Sequence, residues 1–362
     1  MKKIALVHDY LNQFGGAERV AAVLHKIFPE APLYTSIYDQ RSLPREFEEM
    51  KIKVSFMQYL PFVLQNFRAY FWLYPKAFES FDLGEYDLIV SSSSAYAKGI
   101  KKRKEAIHVC YCHNPMRFVW NFDDYVEKET LNPIARVMLP WFISKLKKWD
   151  LKNNAGVDYF IANSRTVAQR IKKYYGRDSV VINPPIECDK FSLSQSDEDY
   201  FLVVSRLNYY KRIDVAVAAF SKLGLPLKIV GVGPAEKELK RKKGQNIDFL
   251  GKVDDNTLRD LYSNCRGLIF TEEADFGMVP LEAAASGRPT IAFRAGGAEE
   301  TIIDGETGLF FDRQSPESLI EAVRNFEKVS FDKHKIRKHA EKFDRLAFCD
   351  KLINFLHEIQ AL

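Results

Sequence analysis

Ser205-Arg206 closes an apolar run, and Lys211 follows five residues after Arg206 at the start of an amphipathic stretch. Arginine offers phosphate oxygens a planar fork, lysine offers a point charge, and a helix N-terminus beside them adds its dipole, so the spacing describes an anion site. Further along, Phe276-Gly277-Met278-Val279 leads into a helix-forming segment that carries Glu282. Exposed backbone N–H groups at that turn suit a phosphate or sugar oxygen, and Glu282, one turn in, suits two ribose hydroxyls. Between these stands TEEADFG (271–277), in which Glu272, Glu273 and Asp275 surround Ala274 where a second carboxylate is due. Taken singly, each feature also reads as a solvated surface pair or a capping carboxylate.

Three more positions join the candidates. Gly231-Val232-Gly233-Pro234 follows another apolar run; as G-x-G it reads equally as a phosphate turn or as a tight strand-to-helix turn. Gly15-Gly16 opens a helical stretch in the first half, and His113 stands in YCHNPMRFVW just after an apolar run, placed to hydrogen-bond a ligand or to serve the core.

The elements that must position these residues are legible as alternation. KIALVH (3–8), a glycine turn and a helix over 17–28 form the opening of a Rossmann-like half. After Pro184-Pro185 the pattern returns: strand DYFLVVS (199–205), helix 212–223, strand PLKIVG, helix PAEKELKR, strand IDFLG, helix DNTLRDLYSNC, strand GLIF, helix VPLEAAASG and strand PTIAF. Strands alternating with helices predict an α/β fold with largely parallel sheets. Ligands then bind at the carboxyl ends of the strands, in the loops after 205, 231, 251, 270 and 293. The expected domains are 1–187, joined by an amphipathic helix over 345–362, and 188–344.

The 362 residues are 46% hydrophobic and 28% charged, a globular composition without repeats, and the length suits two domains. No stretch of about 18 apolar residues occurs, and the run in MKKIALVHDY breaks at His8-Asp9, so a cytoplasmic location is expected. The five Cys are irregularly spaced, and Cys110 and Cys112 read as strand core rather than metal ligands. Residues 1–187 carry 27 Lys and Arg against 20 Asp and Glu, the remainder 26 against 28, so the positive surface belongs to the first half. That half also holds ten aromatics within residues 56–81, the basic run KGIKKRK (98–104) and LPWFISKLKKWDLK (139–152). Aromatics beside cations suit an anionic bilayer surface, against the alternative of core aromatics with a solvated basic face.

SRLNYYKRID, GVGPAEKEL, FLGKV, EADFGMVPLEAAASGRP and AGGAEETIIDGETGLFF, in this order, resemble the nucleotide-binding domain of family four retaining glycosyltransferases, and GGAERV with YCHNPMRFVW resembles their acceptor half. The resemblance implies the GT-B fold, two Rossmann-like domains facing each other across a cleft. It implies that Arg206 and Lys211 hold the donor diphosphate, that Glu282 meets the donor ribose, that Gly16 approaches the phosphates, and that His113 lies near the C6 hydroxyl of the donor sugar. Glu300 matches a recurring carboxylate after the Gly-Gly. By position in the same motifs, Gly15, Ser205, Gly231, Gly233, Lys252, Val253, Phe276, Gly277, Met278 and Val279 line the donor.

The family signature places a Glu eight positions before Glu282, where this chain has Ala274. Three readings stand: substitution by Glu273 from one residue away, a deliberate inactivating replacement, which is favoured, or a naturally inactive or altered-donor protein. The resemblance is nearest to bacterial enzymes that add mannose to lipid-linked surface polysaccharide. It implies hexose transfer from GDP-mannose, with retention and without a metal or other cofactor, onto a lipid-linked oligosaccharide at the inner face of the cell membrane, and no nucleic-acid partner. No D-x-D motif stands at a strand end; NFDDY holds the nearest acidic pair. A UDP-sugar-dependent enzyme, a sugar-nucleotide epimerase and a catalytically silent nucleotide-sugar-binding protein are the alternatives.

Overall fold

The computed structural model describes residues 2–120, 133–193 and 198–362; NFDDY lies outside them. The chain divides into two compact units, Met1–Pro185 with Phe348–Leu362, and Ile186–Ala347.

In the first unit the strands β1 (Ile4–His8), β2 (Leu33–Thr35), β3 (Ile52–Val54), β4 (Leu88–Ser93), β5 (Ile107–Cys112), β6 (Tyr159–Ala162) and β7 (Ser179–Val181) form one parallel sheet in the order β3-β2-β1-β4-β5-β6-β7. Alternation along β1 sends Leu6 to one face, against Val20 and Leu24 of helix Gly16–Ile27 and Phe348 and Leu352 of helix Arg345–Glu358. Ala5 and Val7 face the other side, where Met57, Val63, Tyr74, Phe78 and Tyr96 cover them.

That second face divides the aromatic-rich segment. Tyr74 and Phe78 are core, whereas Tyr59 is 81% exposed, Phe62 76% and Trp72 52%. Trp141, on helix Pro133–Asn154, is 55% exposed; its ring meets Phe142, and Phe142 meets Phe71. In the run 98–104 Lys101, Arg103 and Lys104 are exposed, as a solvated basic face requires, and only Lys98 is withdrawn into the core. Lys98 is buried and paired with Asp150, Lys101 lies near Glu79, Lys102 near Asp158, and Arg103 pairs with Asp87. Most of the run therefore ties the first unit together. Burial alone would lower the Lys98 ammonium, but the Asp150 carboxylate outweighs it and holds the group well above the ordinary lysine value.

In the second unit β8 (Phe201–Val204), β9 (Leu227–Val230), β10 (Ile247–Gly251), β11 (Gly267–Phe270), β12 (Thr290–Phe293) and β13 (Gly308–Phe311) form a parallel sheet in the order β10-β9-β8-β11-β12-β13. Phe201 packs between Phe220 and Phe326 on one face, and Leu202 packs with Tyr262 and Ala283 on the other. Both units are thus Rossmann-like, as the alternation predicts. Among the described residues no helix is long and apolar enough to cross a membrane.

The sheet interior acts on the groups it encloses. Burial pushes the Cys110 thiol on β5 up to about 12. His108, on the same strand, is fully buried with Nε2 2.8 Å from Ser91 Oγ, and burial pushes its imidazole from 6.5 down to about 4. Between those values the unfolded chain binds a proton that the folded chain refuses, so stability falls as pH drops. From pH 7 to pH 5 this group removes about 2 kcal/mol. Urea unfolding at the two pH values is expected to show a smaller loss in His108→Gln than in the parent, and equal losses would contradict the assignment.

Candidate active site

A parallel sheet that winds outward from a central pair leaves a gap at its carboxyl edge where the two loops part. In the second unit that pair is β8 and β11, so the gap is flanked by Ser205-Arg206 and by the loop from Thr271 to Gly277.

The two glycines of GVG position the first of these loops. Beyond β8, Ser205 N–H donates to Val230 O at 3.0 Å and Leu207 N–H to Val232 O at 3.0 Å, extending the ladder past the strands. Gly231 has φ +130°, and a Cβ there would stand 1.9 Å from Ser205 O; one at Gly233 would stand 2.5 Å from Leu207 O. Both positions are glycine because the backbone of 205–207 lies against them. The loop so held leaves the Arg206 side chain exposed, with no ion pair to another described residue.

Lys211 ends a short turn, Tyr209–Lys211, and Arg212 takes a left-handed φ of 55° to start helix Ile213–Leu223. Thr271 Oγ1 donates to Lys211 O at 2.9 Å, and Gln314 Nε2 donates to Thr271 O at 2.9 Å. The Lys211 ammonium is paired with Glu272, a buried carboxylate on the β11 loop. Lys211 thus carries an internal counterion, and any anion that pairs with it there has to take the place of Glu272.

Helix Met278–Ala285 begins at Gly277, whose φ is 93°, and has no side-chain cap. Its first N–H groups therefore offer the positive end of the helix to an anion. Glu282, in the second turn, is 5% exposed, and Tyr262 Oη donates to its Oε2 at 2.7 Å. Tyr262 is fully buried on helix Asp255–Asn264. Val253, after β10, and Val279 pack against the same cluster as Tyr262, whereas Lys252 is exposed.

Ala274 is half-buried beside Phe270, Ala292, Ala298 and Ile302. Gly297 N–H donates to Ala274 O at 2.8 Å, and a Cβ on Gly297 would come within 2.1 Å of the Phe276 backbone. The acidic loop is thereby stitched to the Gly296-Gly297 turn, from which short helix Ala298–Thr301 carries half-buried Glu300. The acidic neighbours point differently: Glu272 is buried on Lys211, and Glu273 is exposed.

In the first unit the gap lies between β1 and β4. There the Asp9 carboxylate accepts from the N–H groups of Ser94, Ala95, Tyr96 and Ala97 at 2.5, 3.0, 2.7 and 2.7 Å. Successive N–H groups of this kind form an anion receptor, and here the chain's own buried carboxylate fills it. His113, just after β5, is 8% exposed; its Nε2 lies 2.8 Å from Ser92 Oγ, and His8 Nδ1 lies 3.1 Å from that same oxygen. Gly15 N–H donates to Glu18 Oε2 at 2.8 Å, and Gly16, exposed, is the first residue of its helix. Burial would raise the Glu18 carboxyl, but the neighbouring His8 outweighs it and holds the group below the ordinary value.

Residues 186–343 match the model of glycosyl transferases group 1, and residues 14–190 match that of glycosyltransferase family 4. The chain belongs to the family four glycosyltransferases. An O-antigen chain mannosyltransferase C from Escherichia coli is 28% identical over 232 residues, covering 55% of this chain and 60% of that protein. A D-rhamnosyltransferase, WbpZ, from Pseudomonas aeruginosa is 32% identical over 133 residues, covering 34% and 35%. The chain thus matches less than two thirds of the length of either relative. Anabaena Alr3699/HepE in complex with UDP and glucose is similar in fold, with a TM-score of 0.73 at 18% identity over 99% of this chain and 100% of that one. Sucrose-phosphate synthase from Thermosynechococcus elongatus has a TM-score of 0.74 at 16% identity, covering 99% of each chain.

Ser205, Arg206, Lys211, Gly277, Met278, Val279 and Glu282 come from different elements to one end of the second unit's sheet. Sequence reasoning missed Glu272 as the counterion of Lys211, Tyr262 as the partner of Glu282, and Ser92 and His8 beside His113. Their signals were present only as polar residues at strand ends and, for Tyr262, as the tyrosine of DNTLRDLYSNC. Lys211→Ala is expected to weaken binding of a nucleoside diphosphate about 10- to 100-fold, as loss of a charged hydrogen bond does, and binding of the nucleoside little. Isothermal titration of both ligands checks this, and equal losses would remove the diphosphate role.

Proposed function

We propose that this glycosyltransferase moves mannose from GDP-mannose to a hydroxyl of a lipid-linked glycan, with retained anomeric configuration and without a metal. The observation that carries the reading is the convergence of Arg206, Lys211 and the uncapped helix at Gly277 on the switch point of the second unit. Fixed charges and dipoles aimed at a departing diphosphate stabilise its developing charge with no reorganisation at the moment of reaction. Glu282, held by Tyr262, meets the ribose hydroxyls, and His113 hydrogen-bonds a hydroxyl of the transferred sugar. The departing phosphate assists attack on the same face, so no general base is assigned. Mannose is favoured over other hexoses by the likeness to the E. coli mannosyltransferase. Ala274 leaves a donor-sugar carboxylate missing and slows the chain.

The lipid-linked acceptor is met at the inner face of the membrane, by peripheral contact. Tyr59, Phe62, Trp72 and Trp141 support this, being large aromatics exposed on one unit. Phe62 has a left-handed φ of 52°, unusual for a bulky residue, and Lys145 Nζ lies 3.6 Å from the centre of the Trp141 ring. Exposed rings with a cation alongside fit the headgroup level of an anionic bilayer.

Restoring the carboxylate is the test. Ala274→Glu is expected to raise transfer from GDP-mannose to a lipid-linked acceptor by about 100-fold, the scale of one electrostatic group at a transition state. The product's anomeric configuration is read by NMR. If UDP-sugars are used instead, the donor assignment falls; if no donor is used by either form while GDP binds, the chain is a binding protein. For the membrane contact, the double variant Phe62→Ser, Trp141→Ser is expected to lose sedimentation with anionic vesicles while retaining the unfolding midpoint to within a few degrees, and unchanged sedimentation would contradict it.

A further inference from the structure

Next to Lys211 the backbone is strained. Arg212 has φ 55° and ψ 33°, the left-handed region that a side-chain-bearing residue enters against steric resistance. A residue stays there when its surroundings over-determine it, and at Arg212 the guanidinium supplies the constraint. Its Nε and Nη2 donate to the two oxygens of Asp214 at 3.1 and 3.3 Å, and its Nη1 and Nη2 donate to Gln314 Oε1 and Gln314 O, each at 3.4 Å. Gln314 stands in the loop after β13, 102 residues along the chain. The other end of its amide, Nε2, donates to Thr271 O at 2.9 Å, and Thr271 Oγ1 donates to Lys211 O at 2.9 Å. Because Lys211 and Arg212 are consecutive, these contacts close a ring through three loops. A guanidinium only donates and a carbonyl only accepts, so the ring holds the Gln314 amide in one orientation. A carboxylate in its place would set an oxygen against Thr271 O. Thr271 is 2% exposed, which leaves water little access to a carbonyl released there.

We infer that Gln314 is a positioning residue for Lys211, fixing the two backbone segments that carry the Lys211 ammonium and its counterion Glu272. Lys211 belongs to the ring, Glu272 follows Thr271 in the chain, and their side chains pair. Gln314 acts on that pair through Thr271 and Arg212. A lysine ammonium rides on a flexible four-carbon stem. With its own carbonyl held by Thr271 and the next residue locked in a left-handed turn, the stem starts from one point and in one direction. A diphosphate then meets a charge already in place, and less of the binding energy is lost in ordering the side chain. The diphosphate part of this inference rests on the proposed role of Lys211; the placement of the ammonium does not.

The placement is read without a ligand, by acylating the amines of the full chain with a water-soluble succinimidyl ester and following each lysine by peptide mass spectrometry. In both Gln314→Ala and Gln314→Glu, Lys211 is expected to react about threefold faster than in the parent, the scale of one loosened ion pair. Exposed Lys172, in the other unit, is expected to react at an unchanged rate. An unchanged rate at Lys211, or equal acceleration at both lysines, would overturn the positioning role. Isothermal titration with GDP and guanosine then tests the consequence. Gln314→Ala is expected to weaken GDP about fivefold, the scale of one side chain left to be ordered on binding, and guanosine little. Added to Lys211→Ala it is expected to cause no further loss, since both changes act on one charge. A further fivefold loss in that double variant would overturn the action through Lys211. If the parent binds neither GDP nor UDP, the proposed function falls, while the labelling rates still decide whether Gln314 positions Lys211.

Discussion

A parallel sheet wound outward from a central strand pair leaves its loops parted at one place, and the chemistry of each unit is built around that place. Between β8 and β11 the parted loops carry Arg206, Lys211 and the start of helix Met278–Ala285. Between β1 and β4 the strand ends carry His8 and Ser92, and the loop after β1 carries Asp9. The geometry is the same twice, because two all-parallel sheets share one winding order. What differs is which groups fill the gap.

That difference is electrostatic. In the first unit a buried carboxylate, Asp9, takes four successive N–H groups, so the receptor at 94–97 is satisfied from within and refuses a second anion. In the second unit the helix N-terminus has no side-chain cap, and Glu272 covers only Lys211. An anion entering there gains the helix end and Arg206 outright, and gains Lys211 by exchange with a carboxylate on its own loop. The exchange keeps Lys211 ordered when no ligand is bound, since a lone ammonium at a part-buried site would be poorly placed and poorly solvated. Glu282 is prepared in the same way by the buried Tyr262 hydroxyl.

The fold was legible wherever burial acted on consecutive residues. KIALVH and GLIF read as strands because both faces of a parallel sheet are covered, so the run is apolar throughout. The helix expected at 17–28 is Gly16–Ile27, and that expected at 212–223 is Ile213–Leu223, with Arg212 displaced into a left-handed turn. Motif residues such as Arg206 and Lys211 were legible because strand ends select loops. The partners of those residues were not. Asp9 meets N–H groups 85 to 88 residues away, and Ser92 meets His113 across 21 residues, separations at which a sequence carries no periodic signal. Composition misled at one position of KGIKKRK: Lys98 reads as part of a basic surface but is enclosed with Asp150, whereas Lys101, Arg103 and Lys104 are exposed. The aromatic segment was half legible, since Tyr74 and Phe62 look alike in sequence and lie in opposite environments.

The central claim is that only the second unit's gap receives a diphosphate, and a crystal structure of the chain grown with GDP tests it directly. The account predicts the two phosphates beside Arg206 and the first turn of Met278–Ala285, with the Lys211 ammonium turned from Glu272 onto a phosphate oxygen. Phosphate density against Ser94–Ala97, or GDP bound with Lys211 still on Glu272, would contradict it.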